Sequence, residues 1–250
     1  MSGAGRTAIF TVENGGKLTL QNLIVSDGKP FGALGGGGAL NLGGTLSVIN
    51  CTFQNNSGGG IENTLGTVEV SNSTFARNIA GEGGGGIANF STLEVTYSTF
   101  SRNYGGPPPG GNDIDNESEE GATVSSTILG SIPPGPNCLG RINDGGYNID
   151  SGTSCGFTAR SSKSQTDPGL NSLGTRDNGG PTQTIALLPG SPALDAIPMV
   201  ANGCGTDVKT DQRGVSRPQG MRCDIGAFEL ASGLGAPRSA RKRAPRAATS

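Results

Sequence analysis

The stretch Leu46-Ser-Val-Ile-Asn-Cys-Thr-Phe53 returns as Val68-Glu-Val-Ser-Asn-Ser-Thr-Phe75 and again as Leu93-Glu-Val-Thr-Tyr-Ser-Thr-Phe100. Each copy runs on through two intervening positions to an asparagine: Asn56, Asn78 and Asn103. Glycine runs separate the copies and close on an aliphatic residue and an asparagine, as in Gly60-Ile-Glu-Asn63 and Gly86-Ile-Ala-Asn89. The copies begin at residues 46, 68 and 93, so the period is 22 and then 25 residues. A repeat of this length marks stacked units, none of which buries its apolar face alone. Weaker copies flank the three, Leu18-Thr-Leu-Gln-Asn-Leu-Ile-Val25 before and Ala122-Thr-Val-Ser-Ser-Thr-Ile-Leu129 after.

Within a copy the apolar residues alternate, as in a strand with one buried face. Aligned, the copies give an inward column Leu18, Leu46, Val68, Leu93, Ala122 and a second, Leu20, Val48, Val70, Val95, Val124. A third inward column is Val25, Phe53, Phe75, Phe100, Leu129, and the outward column Thr19, Ser47, Glu69, Glu94, Thr123 is polar. The expected architecture is all-β: a right-handed parallel β-helix in which each coil adds one rung to every sheet, about 4.8 Å from the last, with a turn-rich C-terminal cap. A leucine-rich repeat has a similar period, but here glycine rather than a helical segment follows each strand. Asn22, Asn50 and Asn72, continued by Tyr97 and Ser126, occupy the turn of each copy. Asparagine tolerates a left-handed corner, and stacked amides bond to one another. These residues, with Asn56, Asn78 and Asn103, are therefore expected to form structural ladders.

Among 250 residues there are 45 glycines, 4% aromatics, and no histidine or tryptophan. That composition suits a narrow coil filled by Val, Leu and Phe and cornered by Gly and Asn. Without histidine, a Ser-His-Asp triad, a histidine metal site and a histidine acid/base are all excluded. All 20 acidic residues precede residue 230, against 13 of the 18 basic ones, so that body carries −7. Such a body repels nucleic acid, and no nucleic-acid partner is expected. The last 20 residues hold Arg238, Arg241, Lys242, Arg243 and Arg246 and no acid, the composition of a disordered tail.

Three regions follow: β-helix rungs over 1–130, a turn-rich region over 131–230 and the basic tail over 231–250. Residues 104–121 interrupt the rungs with Tyr104-Gly-Gly-Pro-Pro-Pro-Gly-Gly111 and an acidic run, and read as a long loop off one corner. Val12-Glu-Asn14 matches Ile61-Glu-Asn63, which places the beginning of the sequence inside a coil. An upstream segment carrying any export signal is therefore expected. No apolar run reaches transmembrane length.

The glycine-aliphatic and Phe-x-x-Asn elements at 37–103 resemble the polymorphic outer-membrane protein repeat. The region from Asn137 to Glu229 resembles the choice-of-anchor Q domain through Pro136-Asn-Cys138, Gly145-Gly-Tyr-Asn-Ile-Asp150, Ser154-Cys-Gly-Phe157, Asp177-Asn-Gly-Gly-Pro181, Leu187-Leu-Pro-Gly-Ser-Pro-Ala-Leu-Asp195, Asp211-Gln-Arg-Gly214 and Cys223-Asp-Ile-Gly-Ala-Phe-Glu229. The resemblance implies an exported bacterial protein of the cell surface, outer membrane or extracellular space. It brings no catalytic residues. After Glu229 the chain has neither a hydrophobic span nor a sorting motif, so release is an alternative to attachment.

Of five cysteines, Cys51 stands where other copies have Leu23, Ser73, Ser98 and Thr127, and reads as a small buried side chain. Cys138 with Cys155, and Cys204 with Cys223, form two local pairs that as disulfides would staple a region with little core of its own. Four reduced thiols or a cysteine-only metal site are the alternatives, though no C-x-x-C spacing occurs.

Carboxylates are the remaining chemistry. Asp113, Asp115 and Glu117, with Glu119 and Glu120, offer oxygen ligands to calcium, against the plainer reading of a solvated loop; no calcium-motif spacing is present. Asp207 and Asp211 with Arg213 and Arg217 read as a salt-bridge or turn network more readily than as an acid/base pair. No catalytic residue, cofactor or metal is assigned. The favoured reading is a non-catalytic, adhesin-like β-helix whose outer faces meet glycans or surface proteins. The alternative is a polysaccharide lyase or glycoside hydrolase, which requires carboxylates gathered in a groove beside a cation.

Overall fold

The computed structural model describes residues 1–6, 8–30, 35–106, 110–131 and 135–231; the basic tail expected to be disordered lies outside them. The described residues form a parallel β-helix. Each coil contributes three strands, and strands of one position stack in parallel from coil to coil. First-position strands include Phe10–Val12, Ile87–Asn89, Ile114–Asn116 and Cys138–Gly140; second-position strands include Lys17–Gln21, Thr92–Thr96, Ala122–Ser125 and Ile142–Asp144. In two coils both positions merge into one long strand, Ala39–Ile49 and Ile61–Ser71. These form a ten-stranded sheet, and the third-position strands Ile24–Ser26, Thr52–Gln54, Thr74–Ala76, Thr99–Ser101, Ile128–Leu129 and Ile149–Asp150 form a six-stranded one.

The columns fall in register. Leu18, Leu46, Val68 and Leu93 are successive partners, as are Val25, Phe53, Phe75, Phe100 and Leu129. The phenylalanine rings stack face to face, with centroids 5.1 Å apart for Phe53 and Phe75. This stack explains the glycines before each first strand. A Cβ at Gly38, Gly60 or Gly86 would come within 2.7, 3.0 or 2.8 Å of the ring of Phe53, Phe75 or Phe100 respectively.

Two asparagine ladders run through the coil, one differently placed from the sequence reading. Asn56 donates to Asn78 at 2.9 Å and Asn78 to Asn103 at 3.0 Å. The second ladder joins Asn41, Asn63, Asn89 and Asn116 by side-chain bonds of 2.6–2.8 Å. Asn22, Asn50 and Asn72 do not form an amide stack. They hold left-handed corners with φ of 56°, 53° and 45°, followed by Tyr97 and Ser126 in the same conformation. That backbone turns their side chains away from the interior. Asn22 is exposed, Asn72 donates to Thr210 O, and the Oδ1 atoms of Asn50 and Asn72 lack partners. Just inside this corner is a different ladder: the amides of Cys51, Ser73 and Ser98 donate to the hydroxyls of Ser73, Ser98 and Thr127 at 3.1–3.2 Å.

Three further expectations change. Val12 pairs with Asn41, while Phe10 and Ala39 are the partners in line with Ile61, so the match of Val12-Glu-Asn14 to Ile61-Glu-Asn63 is two residues out of register. The acidic segment is a solvated loop only in part: Ile114–Asn116 is a first-position strand, buried with Asp113 and Asp115 between Ile87–Asn89 and Cys138–Gly140, while Glu117, Glu119 and Glu120 are exposed beyond it. The coil also continues past residue 130 to Asp150, where repeat side chains give way to others but the pairing persists.

Residues 151–163 close that end, with Cys155 bonded to Cys138 and Lys163 bridged to Ile149. The rest of the turn-rich region runs back along the six-stranded sheet. Gln212 is its main peg: its Nε2 donates to Cys51 O, Thr52 Oγ1 and Thr182 Oγ1, and its Oε1 accepts from Thr74 Oγ1 at 2.6 Å. The Cys204–Cys223 disulfide staples this flank, and Cys51 is free and buried in the coil.

Candidate functional site

One outward column of the first-position strands runs beside a groove, which Glu62 and Ala88 of that column line. In register down the stack the column is Leu40, Glu62, Ala88, Asp115 and Leu139. Beyond the Asn63, Asn89 and Asn116 ladder the chain bends, setting Thr64, Phe90 and Glu117 in a second column. The amide of Phe90 donates to Asn63 O, and that of Glu117 to Asn89 O, which fixes this column coil by coil. The loops carrying Lys29, Gly58 and Glu82 form the opposite wall, and the whole encloses about 670 Å³.

The groove is acidic and carries one bare ring. Phe90 is 45% exposed and stands among the groove's carboxylates. Thr64 Oγ1 donates to Glu62 at 3.2 Å and orients that carboxylate. Asp115 is only 3% exposed, its Oδ1 is without a hydrogen-bond partner, and the Gly111 amide is the donor to its carboxylate. Burial, reinforced by the neighbouring charge of Glu117, pushes its carboxyl above the usual range. Gly83 lies over it: a Cβ there would meet Ala88 Cβ at 3.3 Å and Asp115 Oδ2 at 4.0 Å.

The three calcium candidates are thus separated. Glu117 lines the groove, Asp115 lies buried beneath Gly83, and Asp113 points into the coil and terminates the Asn56–Asn78–Asn103 ladder. It accepts from Asn103 Nδ2 at 3.0 Å and from the Ser131 hydroxyl, and burial pushes its carboxyl up to about 7. Among the described residues no group of three or more His, Cys, Asp or Glu side chains is arranged to hold a metal ion.

Other polar clusters are structural. Asp211 pairs with Arg213 at 2.7 Å and Arg217 with Glu229 at 2.9 Å, both largely buried beneath the flank, whereas Asp207 is exposed and apart from them. Arg217 also lies 4.8 Å above the ring of Tyr97, tying the flank to a coil corner. Burial pushes Glu229 up to about 7 against the pull of Arg217. On the second-position face Glu69 and Glu94 stack in register around a shallow hollow of about 360 Å³. A third cavity, about 680 Å³ between coil and flank, is lined mainly by serine, glycine and asparagine, with Arg102 engaged on Ser172 O. No helix among the described residues is long and apolar enough to cross a membrane.

Sequence reasoning named Asp115 and Glu117 but missed Glu62, Glu82, Lys29 and Phe90 as their neighbours. The available signal was the pair of repeated asparagines in Gly-aliphatic-x-Asn, whose flanking residues share one face. Comparisons with protein-family models, curated proteins and solved structures find no match to this chain.

Proposed function

We propose that the protein is a non-catalytic β-helix of the bacterial cell surface or extracellular space that binds a polymeric glycan along its first-position groove. The observation carrying this reading is the exposed ring of Phe90 set among Glu62, Glu82 and Glu117 in a groove that crosses successive coils. A flat ring takes the apolar face of a sugar, and flanking carboxylates accept from its hydroxyls. The two disulfides fit an oxidising compartment, and the choice-of-anchor Q resemblance supports a surface location. The test is retention on a panel of insoluble and soluble polysaccharides. Retention lost in Phe90→Ala, with the fold intact, supports the reading; absence of retention on every polymer overturns it.

A second reading, polysaccharide cleavage, is favoured by the buried, upshifted carboxyl of Asp115 beside Glu117. Glycoside hydrolysis uses two carboxyl groups, one of them held above its usual range. New reducing ends or unsaturated products that vanish in Asp115→Asn would establish it in place of simple binding.

A further inference from the structure

We infer that the cavity between the coil and its flank is a second binding site, separate from the groove, and that it takes a neutral mono- or disaccharide. It encloses about 680 Å³, within the roughly 300–1,000 Å³ of sites for small ligands. Its floor is the outward column of the third-position strands. Gln54, Ala76 and Ser101 are successive partners there, and Gly130 follows Leu129, the partner of Phe100. Gln54 is long enough to reach the flank, where it bonds to Gln183 and Thr175. Ser101 has only a hydroxymethyl group and Gly130 no side chain, and the cavity opens over them.

Both walls are held in place. Residues 151–154 run between Asp150 and the Cys138–Cys155 bridge, and Asp150 accepts from the amides of Gly152 and Cys155 at 2.8 and 3.0 Å. Opposite them, Ser191 Oγ donates to Pro168 O at 2.6 Å and the Asn171 amide to Ala186 O at 2.9 Å. Walls ordered before the ligand arrives lose little freedom on binding. Thr153 and Ser172 are exposed, so the cavity reaches solvent.

The polar groups left free define the ligand. Ser101 is 8% exposed, points into the cavity, and its hydroxyl has no hydrogen-bond partner among the described residues. Arg102 donates through Nη2 to Ser172 O, and Asp167 accepts from the Gly169 amide through Oδ1. Yet Arg102 and Asp167 line one cavity without forming an ion pair among the described residues, which leaves Arg102 Nη1 and Asp167 Oδ2 open. The two charges are opposite in sign, so the lining favours neither an anion nor a cation. A sugar hydroxyl both donates and accepts. Neighbouring hydroxyls of one ring donate to Asp167 and accept from Arg102 and Ser101. Leu170 and Pro168 supply apolar surface for the C–H face of the ring.

The test is calorimetry or ligand-observed NMR on the whole chain with glucose, galactose, mannose, N-acetylglucosamine, lactose and cellobiose, and with glutamine as a zwitterionic control. At least one sugar is expected to bind at one site per chain, more tightly than glutamine. Asp167→Asn, which keeps an oxygen for the Gly169 amide, is expected to weaken that sugar about tenfold, and Ser101→Ala several-fold. Phe90→Ala, in the groove, leaves it unchanged. Melting temperatures check that each variant is folded. Arg102→Lys, which keeps the charge and loses the guanidinium fork, is expected to weaken the same sugar and reads the site if either of the first two variants melts early. Sugar binding kept in the cavity variants but lost in Phe90→Ala belongs to the groove and overturns the inference. Glutamine bound in preference to every sugar, and lost in Asp167→Asn, overturns the choice of a neutral sugar. Binding of no sugar overturns the inference outright, and the groove reading is then decided by its own polysaccharide panel.

Discussion

The ring of Phe75 lies on that of Phe100 with centroids 4.7 Å apart and planes 6° from parallel. The stack runs along the coil axis, and the backbone of Gly60 and Gly86 closes over the ring edges. Glycine and phenylalanine therefore depend on each other. Phe75→Ala is expected to cost about 3–5 kcal/mol. Gly60→Ala is also expected to destabilise, because the new methyl meets both Phe75 and Gly86 O, at 2.6 Å. Combining Gly60→Ala with Phe75→Leu should cost less than the sum of the two. Urea denaturation of the single and double variants measures this directly.

The two kinds of asparagine are expected to separate on mutation. Asn78 is fully buried and bonds to Asn103 Oδ1 and Phe53 O, while its own Oδ1 accepts from Asn56. Asn78→Ala strands those groups, at about 1–3 kcal/mol for each one left unpaired. Asn22 is exposed at a left-handed corner. Asn22→Gly keeps that conformation available and should change stability little, whereas Asn22→Val should be the worse substitution there. Thermal melts of the three variants check the order.

Asp113 makes stability depend on pH. Its carboxyl is raised from 3.8 to about 7 in the folded chain by burial. A raised acid favours the protonated form, so its contribution is fully present below about 4 and is lost as pH rises through about 7. The slope from one such group approaches about 1.4 kcal/mol per pH unit. Glu229, also pushed up to about 7, acts in the same direction. Asp113→Asn, which keeps the acceptor oxygen for Asn103, is expected to flatten the fall in stability between pH 4 and 7 without abolishing it. Denaturation midpoints across that range, for both proteins, are the measurement; parallel curves would contradict the account.

Gln212 holds the flank to the coil from a site 0% exposed. Gln212→Leu removes the acceptor of Thr74 Oγ1 and one donor each from Thr182 Oγ1 and Cys51 O. The flank is expected to open before the coil, giving protease cleavage within residues 164–203 while the repeat region stays resistant. Reduction of Cys204–Cys223, which closes a separation of 19 residues, should add to the effect by about 3 kcal/mol at most. Limited proteolysis with mass mapping, with and without reductant, tests both.

The candidate site was legible only in fragments. Asp115 and Glu117 stood out as acids, but their segment looked like a loop because Gly105–Gly111 interrupts the repeat with prolines and glycines. Ile114 alone carries the apolar signal of that strand, and one residue is too little for a period. Phe90, following an asparagine, reads as another apolar residue until its neighbours are known.

What the sequence determined by itself is the stack: alternation and the 22- and 25-residue spacing set the three inward columns and their register, because like side chains recur at one position of each coil and stack on one another. The tertiary structure decided the rest. It chose which asparagines bond to one another, since a left-handed corner and an inward-facing position look alike in one dimension. It laid residues 164–230 along the six-stranded sheet through single contacts such as Gln212 with Thr74, which no periodicity announces. And it brought Glu62, Glu82, Phe90 and Glu117 together across coils, because the groove runs along the stack while the sequence runs around it.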